Sequence, residues 1–163
     1  MAGLTDVLAS YARFHRDPRN RLTHYFGVPA IIYALLVVAA IYAVPVFGVR
    51  IGVDRIVVAV ASLAYLALDL RFGLTLAVVF VLLAAAAEAT ATIGSPGVWI
   101  AAGVAFVGGW ALQLLGHQME GNRPALLTNL AQIFVAPLFL VAELGFALGL
   151  RRKLHAAVED RAG

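Results

Sequence analysis

Long apolar runs separated by short polar breaks dominate the pattern of this sequence. The runs cover residues 25–44, 56–68, 74–93, 98–115 and 125–150. A helix needs roughly 20 predominantly apolar residues to cross a bilayer, and the first, third and fourth runs approach that length, whereas the second is short. The pattern therefore predicts four membrane-spanning helices, and a fifth if the last run crosses completely.

A short amphipathic segment precedes the first apolar run. Its apolar residues recur at helical spacing on one side of the segment: Leu4, Val7, Leu8, Tyr11 and Phe14. Because the segment is too polar to cross a bilayer, we expect a helix over residues 4–16 that lies in the membrane interface. Pro18 ends that helix, since the residue before a proline is disfavoured in helical geometry, and a second helix begins near Pro18 or Asn20.

Composition supports a membrane protein. Apolar residues make up 63% of the chain and charged residues 13%, with a mean hydropathy of +0.92, whereas a soluble domain carries about 25% charged residues. We predict an all-α fold, a polytopic membrane helix bundle of four to five spans plus the short N-terminal interfacial helix. By length it is a single domain over residues 1–163, with an interfacial segment (1–24), spans (25–150) and a loose charged tail (151–163).

Two polar segments hold the candidate chemistry, and we expect them at one membrane face. The first motif segment, residues 11–24, contains His15 and His24, and the second motif segment, residues 113–124, contains His117. Spans one and two return the chain to its starting side, and spans three and four return it again. The two motif segments therefore meet at the same surface of the bilayer.

The distribution of Lys and Arg residues indicates how the chain is oriented in the membrane. If residues 125–150 cross fully, six Lys and Arg residues lie on each side of the membrane. If this run is a re-entrant pair of half-helices bent at Pro137, ten lie on the side of the motif segments and two opposite. Positive residues accumulate on the cytoplasmic side, which favours the re-entrant arrangement and a site on the cytoplasmic face. The basic residues, which give a pI near 9.7, then meet lipid headgroups, and we expect no nucleic-acid partner.

The spacing of the polar residues allows a metal site. His15 and His24 are nine residues apart and would point to opposite sides of one continuous helix, but a break at Pro18 lets them converge. Gln113, His117 and Glu120 share one helix face. Imidazoles with a carboxylate suit zinc, iron(II), copper or nickel, and the chain contains no cysteine that could add a thiolate.

Simpler interpretations exist for each residue. A lone interfacial histidine is usually an amphipathic side chain at the headgroups, and the aromatic residues of the motif segments, Tyr11 among them, are typical interface anchors. Arg123 either grips a substrate carboxylate or sets orientation. Asn129 and Gln132, three residues apart, either line the site or hydrogen-bond between helices.

The two motif segments resemble those of a known family. The matching patterns are Tyr11-x3-His15-x4-Asn20-x3-His24-x2-Gly27-x-Pro29 and Gln113-x2-Gly116-His117-x2-Glu120-Gly-x2-Pro124-Ala125. Together, in this order and with the apolar segments between them, they are similar to the Mpo1-like family, long described as a domain of unknown function. The resemblance implies an iron(II)-dependent dioxygenase of fatty acid alpha-oxidation that uses molecular oxygen to shorten 2-hydroxy fatty acids by one carbon, with release of carbon dioxide.

The resemblance also implies roles for single residues. His15, His24 and His117 are the expected metal ligands, with Fe(2+) as the cofactor. Glu120 is a further ligand or orients an imidazole, and Asn20 belongs to the same catalytic site. Substrate contacts are expected from four further polar residues of the second motif segment and the following run: Gln113, Arg123, Asn129 and Gln132.

Other functions fit the same pattern of residues. A zinc-dependent membrane hydrolase would use the same histidines, and a non-catalytic lipid-binding membrane protein would need none of them. A transporter would place ionisable residues near mid-membrane, where only Glu88 and Glu143 are candidates. We expect an integral protein of a bacterial inner membrane, or of the endoplasmic reticulum if the source is eukaryotic, and nothing in the sequence fixes an oligomeric state.

Overall fold

The chain folds almost entirely into helices in the computed structural model, which describes residues 3–121 and 132–163. One two-stranded hairpin accompanies the helices. The elements are α1 Leu4–Ala12, α2 Pro18–Ala40, β1 Ala43–Val46, β2 Val49–Gly52, α3 Val53–Leu68, α4 Leu70–Ala91, α5 Gly97–Glu120, α6 Gln132–Ala147 and α7 Arg152–Ala162. The predicted all-α membrane fold is confirmed.

Three helices of the described residues, α2, α4 and α5, are long and apolar enough to cross a membrane. A fourth span results if α6 and α7, which meet at an angle of 120°, are counted together as one broken helix. The 16 residues of α3 give a length of about 24 Å, below the hydrocarbon thickness of about 30 Å. The short second apolar run had predicted this. Large apolar side chains such as Val78 and Leu82 stand exposed on the helix surfaces, as lipid contact requires.

The break between α1 and α2 lies where the sequence predicts it. Pro18 is the first residue of α2, a position where the missing backbone N–H of proline costs no hydrogen bond. Asp17 caps the helix, because its Oδ1 accepts the backbone N–H of Arg19 at 2.8 Å. Residues 13–17 therefore form a turn, and the helix expected over residues 4–16 ends at Ala12.

The junction of α3 and α4 is tighter than expected. Instead of a polar turn over residues 69–73, only Asp69 interrupts the helices. Its carboxylate accepts the backbone N–H groups of Arg71 and Phe72 at 3.1 and 3.0 Å, so one capping residue is enough to restart the helix. A Cβ on Gly73 would lie 2.6 Å from the backbone of Leu66, which shows how closely the two helices approach.

Residues 43–52 form a hairpin, where the sequence pattern predicts only a break between two apolar runs. The strands pair antiparallel in the register Ala43↔Gly52 to Val46↔Val49. Phe47 and Gly48 form the two-residue loop, with φ angles of 49° and 83°. Such left-handed angles are typical of hairpin loops whose twist matches that of the strands.

The C-terminal region corrects two expectations. Pro137 lies inside the continuous helix α6, so the bend expected at this proline is wrong. The chain turns instead between α6 and α7, where Gly149 and Arg151 have φ angles of 75° and 51°. The tail expected to be loose is helix α7, which packs against α1 and buries Val158 and Ala162.

The chain divides into two compact units. Unit 1 comprises Met1–Phe26 and Leu112–Gly163, and unit 2 comprises Gly27–Ala111. Unit 2 holds the hairpin, α3 and α4, and an ion pair joins Arg55 to Glu88 at 2.6 Å within it. Unit 1 holds the described residues of both motif segments. The single-domain organisation stays a prediction.

Candidate metal centre

Three histidines from three parts of unit 1 converge in its interior. His15 comes from the turn after α1, His24 from the second turn of α2, and His117 from the last turn of α5. One nitrogen of each imidazole lies within 4.8 Å of the others, and the ring centroids are 4.7 to 5.0 Å apart. All three side chains are buried, with exposed fractions of 5% or less.

A backbone carbonyl fixes the His15 ring. Its Nδ1–H donates to the carbonyl oxygen of Tyr11 at 2.9 Å, which leaves Nε2 as the nitrogen with the free lone pair. The Tyr11 ring stacks on the imidazole at a centroid distance of 3.9 Å and an interplanar angle of 5°. Phe139 of α6 contacts both rings. His15 therefore has one orientation and one tautomer.

His24 repeats this arrangement. Its Nδ1–H donates to the carbonyl oxygen of Asn20, one helical turn earlier, at 2.9 Å, and its Nε2 lies 3.2 Å from Nε2 of His15. With both Nδ1 atoms protonated, two lone pairs face each other in a buried site. That contact is repulsive unless a cation lies near both nitrogens.

The third histidine adds a ring nitrogen that makes no hydrogen bond. Nδ1 of His117 is buried and has no hydrogen-bond partner, although buried polar atoms are nearly always paired. Three buried imidazoles, each with one nitrogen within 4.8 Å of the others, fit the needs of a borderline divalent metal ion. The residues present therefore fit a resident metal ion.

Burial determines the charge of the first histidine. Burial, followed by the charges of the neighbouring His24, His117 and Arg21, lowers the pKa of His15 to about 3 against the opposing effect of the hydrogen bond to the Tyr11 carbonyl. The imidazole is therefore neutral near pH 7, which is the form that binds metal.

Glu120 binds the turn that carries His15 and lies outside the histidine cluster. Its Oε1 accepts the backbone N–H of Arg16 and, at 3.1 Å, that of Asp17. Its Oε2 accepts the side-chain N–H of Asn20. The carboxylate therefore sits at the N-terminus of α2, where the helix dipole favours a negative charge. This geometry favours the orienting role over direct ligation.

Asn20 lies between Glu120 and His24. Its side chain is fully buried, and its amide N–H groups donate to Glu120 and to the carbonyl oxygen of Phe14. Its backbone carbonyl oxygen accepts the Nδ1–H of His24. Gly116 of α5 makes this possible, because a Cβ there would lie 3.3 Å from Cα of Asn20 and closer still to its side-chain oxygen. A residue without a side chain lets α5 approach α2 beside His117.

The predicted substrate residues divide into two groups. Gln113 lies one turn before His117 on α5, and its buried amide nitrogen has no hydrogen-bond partner. Gln132, the first residue of α6, has a buried amide oxygen without a partner. Arg123 and Asn129 lie outside the described residues.

Some residues and contacts around the histidine cluster were not predicted from the sequence. Tyr11, expected at the interface, is buried against His15, and its spacing of four residues from that histidine was the available signal. The ion pair between Arg21 and Glu143 and the packing of α7 join segments that are distant in sequence. Neither left a signal in the local pattern.

Comparisons with known proteins agree on one family. The family described as "2-hydroxy-palmitic acid dioxygenase Mpo1-like" matches residues 1–148. A curated protein of Saccharomyces cerevisiae, "2-hydroxy-palmitic acid dioxygenase MPO1", is 32% identical over 165 residues, which cover 96% of this chain and 90% of that protein. No solved structure matches.

Proposed function

The chain belongs to the Mpo1-like family, and from this premise we propose that it is a non-haem iron(II) dioxygenase acting on 2-hydroxy fatty acids. The observation that carries the proposal is the convergence of three buried imidazoles, two of which have opposed lone pairs. The yeast relative is named for dioxygenase activity on a 2-hydroxy acid, which supports the substrate class.

The proposed reaction balances without an external reductant. One 2-hydroxy acid and one dioxygen molecule give the acid shortened by one carbon, carbon dioxide and water. The bond between the carboxyl carbon and the hydroxyl-bearing carbon breaks. The four electrons that reduce dioxygen come entirely from the substrate.

His15, His24 and His117 would hold the iron, and Glu120 and Asn20 would keep the first two of these rings in place. Bound iron(II) would supply the redox chemistry that couples reduction of dioxygen to oxidation of the substrate. Three neutral ligands leave its charge of +2 uncompensated, so the site attracts an anionic carboxylate.

The remaining polar residues would position the substrate head. Gln113 and Gln132 both carry buried amide groups without partners, which a hydroxyl or carboxylate could satisfy. Arg123 matches a carboxylate with two parallel hydrogen bonds, and Asn129 completes the predicted set. The fatty chain would lie among apolar helices, which explains why such an enzyme is built from membrane spans.

Charge supports a site on the cytoplasmic face. Eight of the twelve basic residues of the chain lie among the described residues of unit 1, together with the histidines. Because positive residues accumulate on the cytoplasmic side, we place the histidine cluster near that surface, in a bacterial inner membrane or the endoplasmic reticulum.

Anaerobic reconstitution tests the function. Wild-type protein loaded with iron(II) should bind about one iron per chain, and on exposure to air it should convert 2-hydroxypalmitate to the acid one carbon shorter without added reductant. His24→Ala and His117→Ala should lose both the iron and the product, since each removes a donor atom. Substitution of the fourth histidine, His155→Ala, should change neither, because that ring lies in α7 outside the histidine cluster and stacks on Phe146 of α6.

The same experiment separates the alternatives. Three histidines are also a ligand set of catalytic zinc, so a zinc-dependent hydrolase would bind metal but consume no oxygen. A non-catalytic lipid-binding protein would be indifferent to both histidine substitutions. Either result would contradict the dioxygenase proposal.

A further inference from the structure

The loop of the β1–β2 hairpin combines full exposure with an unfavourable backbone conformation. Phe47 is exposed over its whole surface, with a relative accessibility of 104%, and its φ of 49° lies in the left-handed region. Hairpin loops of this geometry favour Asn, Asp or Gly at the first position, and a bulky residue there is unusual. Neither water contact nor backbone preference explains a phenylalanine at this position.

The exposed phenylalanine is part of a larger apolar surface. Tyr42, Val44 and Val49, which flank the loop, are also exposed, and Arg50 lies opposite Pro45 in the strand pairing. The hairpin thus presents aromatic and branched apolar groups beside one positive charge. This composition is typical of segments at the boundary between headgroups and acyl chains.

The position of the hairpin in the chain identifies the surface that covers it. Strand β1 begins three residues after α2 ends at Ala40. The first turns of α2 lie at the surface that holds the histidines, so its 23 residues, about 35 Å long, bring Ala40 to the opposite boundary of a hydrocarbon core of about 30 Å. The hairpin therefore begins where the chain leaves the bilayer, a few residues after the exposed Leu35 of α2.

We propose that the hairpin is a lipid anchor. Phe47 inserts below the headgroups of the bilayer that α2 spans, while Tyr42 and Arg50 lie at the headgroup level. The backbone edges of the two strands stay in the hydrated interface, since unpaired amide groups are excluded from the hydrocarbon. A second copy of the chain is the alternative occupant, and a standard interface with it would bury about 800 Å² per partner.

Fluorescence quenching measures the depth of the loop directly. The chain contains two tryptophans, Trp99 and Trp110, so a Trp99→Phe, Trp110→Phe protein with Phe47→Trp reports on the loop alone. In phosphatidylcholine vesicles, its emission should be shifted to the blue and quenched most by lipids brominated at shallow acyl positions. Aqueous iodide should quench this emission several-fold less in vesicles than it does when the same protein is unfolded in denaturant.

Two outcomes would overturn the anchor. One is efficient quenching by iodide with no effect of brominated lipids, which would place the loop in water. The other is shielding that appears only at high protein-to-lipid ratio, which would indicate a second copy of the chain. Neither measurement uses iron or substrate, so the result is independent of the proposed function.

A substitution that suits the backbone separates anchoring from folding. Phe47→Asn places a residue tolerant of the left-handed region in the loop, so the thermal midpoint in detergent should be equal or higher. The gain in thermal midpoint on transfer from detergent to lipid nanodiscs should be smaller for Phe47→Asn than for the wild type. Phe47→Leu should keep most of the wild-type gain. An unchanged gain for Phe47→Asn would contradict the proposal.

Discussion

At the residue scale, the same local hydrogen bond to the backbone orients two of the three histidines. His15 and His24 each donate an Nδ1–H to the carbonyl oxygen four residues earlier, Tyr11 and Asn20 respectively. This bond selects the tautomer and directs Nε2 towards the centre of the cluster. Both rings are thus oriented by their own local segments, and what must be positioned by tertiary structure is the turn and the helix that carry them.

Gly116→Ala should weaken the metal site without removing a donor atom. The added methyl group meets Asn20 and Thr23, so α5 and α2 must separate and His117 moves away from the other two rings. We expect metal affinity to fall about 10–100-fold, as for other orienting groups. Isothermal titration with iron(II) under argon measures it.

Matched controls lie on the same helix. A Cβ on Gly103 or Gly108 would meet nothing within 4 Å. Alanine at these positions should leave the affinity unchanged and stabilise α5 by about 0.5–1 kcal/mol. Equal losses at all three glycines would show that helix flexibility, and not the close approach at Gly116, determines binding.

Glu120→Ala separates an orienting carboxylate from a ligand. The substitution removes the acceptor for two backbone N–H groups and for Asn20, so affinity should fall about 10–100-fold, with Glu120→Gln intermediate. Cobalt(II) absorption provides the discriminating measurement. Because the three nitrogens remain, the spectrum of the saturated variant should match that of the wild type.

A changed cobalt spectrum in saturated Glu120→Ala would instead assign the carboxylate to the metal. Glu159→Gln is the control, since this exposed residue of α7 faces His155 at 3.3 Å and should affect neither affinity nor spectrum.

At the element scale, the sequence predicts the helices better than their connections. Apolar periodicity and Pro18 were sufficient to place the first spans and to bring His15 and His24 to a common point. The hairpin and α7 were missed, because four-residue strands and a charged tail have no strong periodicity of their own. Both form through pairing or packing with another segment, here β1 with β2 and α7 with α1.

The same limit applies to the candidate site. Its polar residues could be named from the sequence, since few polar residues interrupt the apolar runs. The contacts between them could not, because Glu120 reaches Arg16 across 104 positions and Arg21 reaches Glu143 across 122. Such pairings depend on tertiary packing, which local patterns do not encode.

Helix α7 should support the metal site from outside the matched residues 1–148. The side chains of Arg13 and Arg16 donate to carbonyl oxygens at its C-terminus, at 2.6 and 2.5 Å. Val158→Asp, which buries an unpaired charge, should detach α7 and release the turn carrying His15. We expect lower iron affinity and faster amide exchange over residues 13–17, measured by mass spectrometry.

Lys153→Asp provides the comparison for charge alone, since this residue of α7 is exposed. It should leave both readouts unchanged. If Val158→Asp unfolds α7 while affinity and exchange at residues 13–17 stay at wild-type levels, then α1, α6 and Glu120 hold the turn without its help.

At the scale of the whole molecule, the packing of α7 on α1 predicts that the two ends of the described chain lie on one side of the membrane. Asp6 and Arg161 form an ion pair at 2.5 Å between these helices. Both residues are about half exposed, so the pair itself contributes little stability. Because α1 and α7 are in contact, we expect α6 and α7 to form a re-entrant pair, which is one of the two arrangements that their angle of 120° allows.

Because the chain contains no cysteine, single cysteines can test this topology without background. Gly3→Cys in front of α1 and Asp160→Cys in α7 are both exposed. With the site on the cytoplasmic face, an impermeant maleimide should label both in inverted membrane vesicles and neither in right-side-out vesicles. Labelling from opposite sides would mean that the α1–α7 contact does not exist in the membrane. Labelling of both only in right-side-out vesicles would keep that contact and place the histidines at the opposite surface, where the positive-inside rule does not put them.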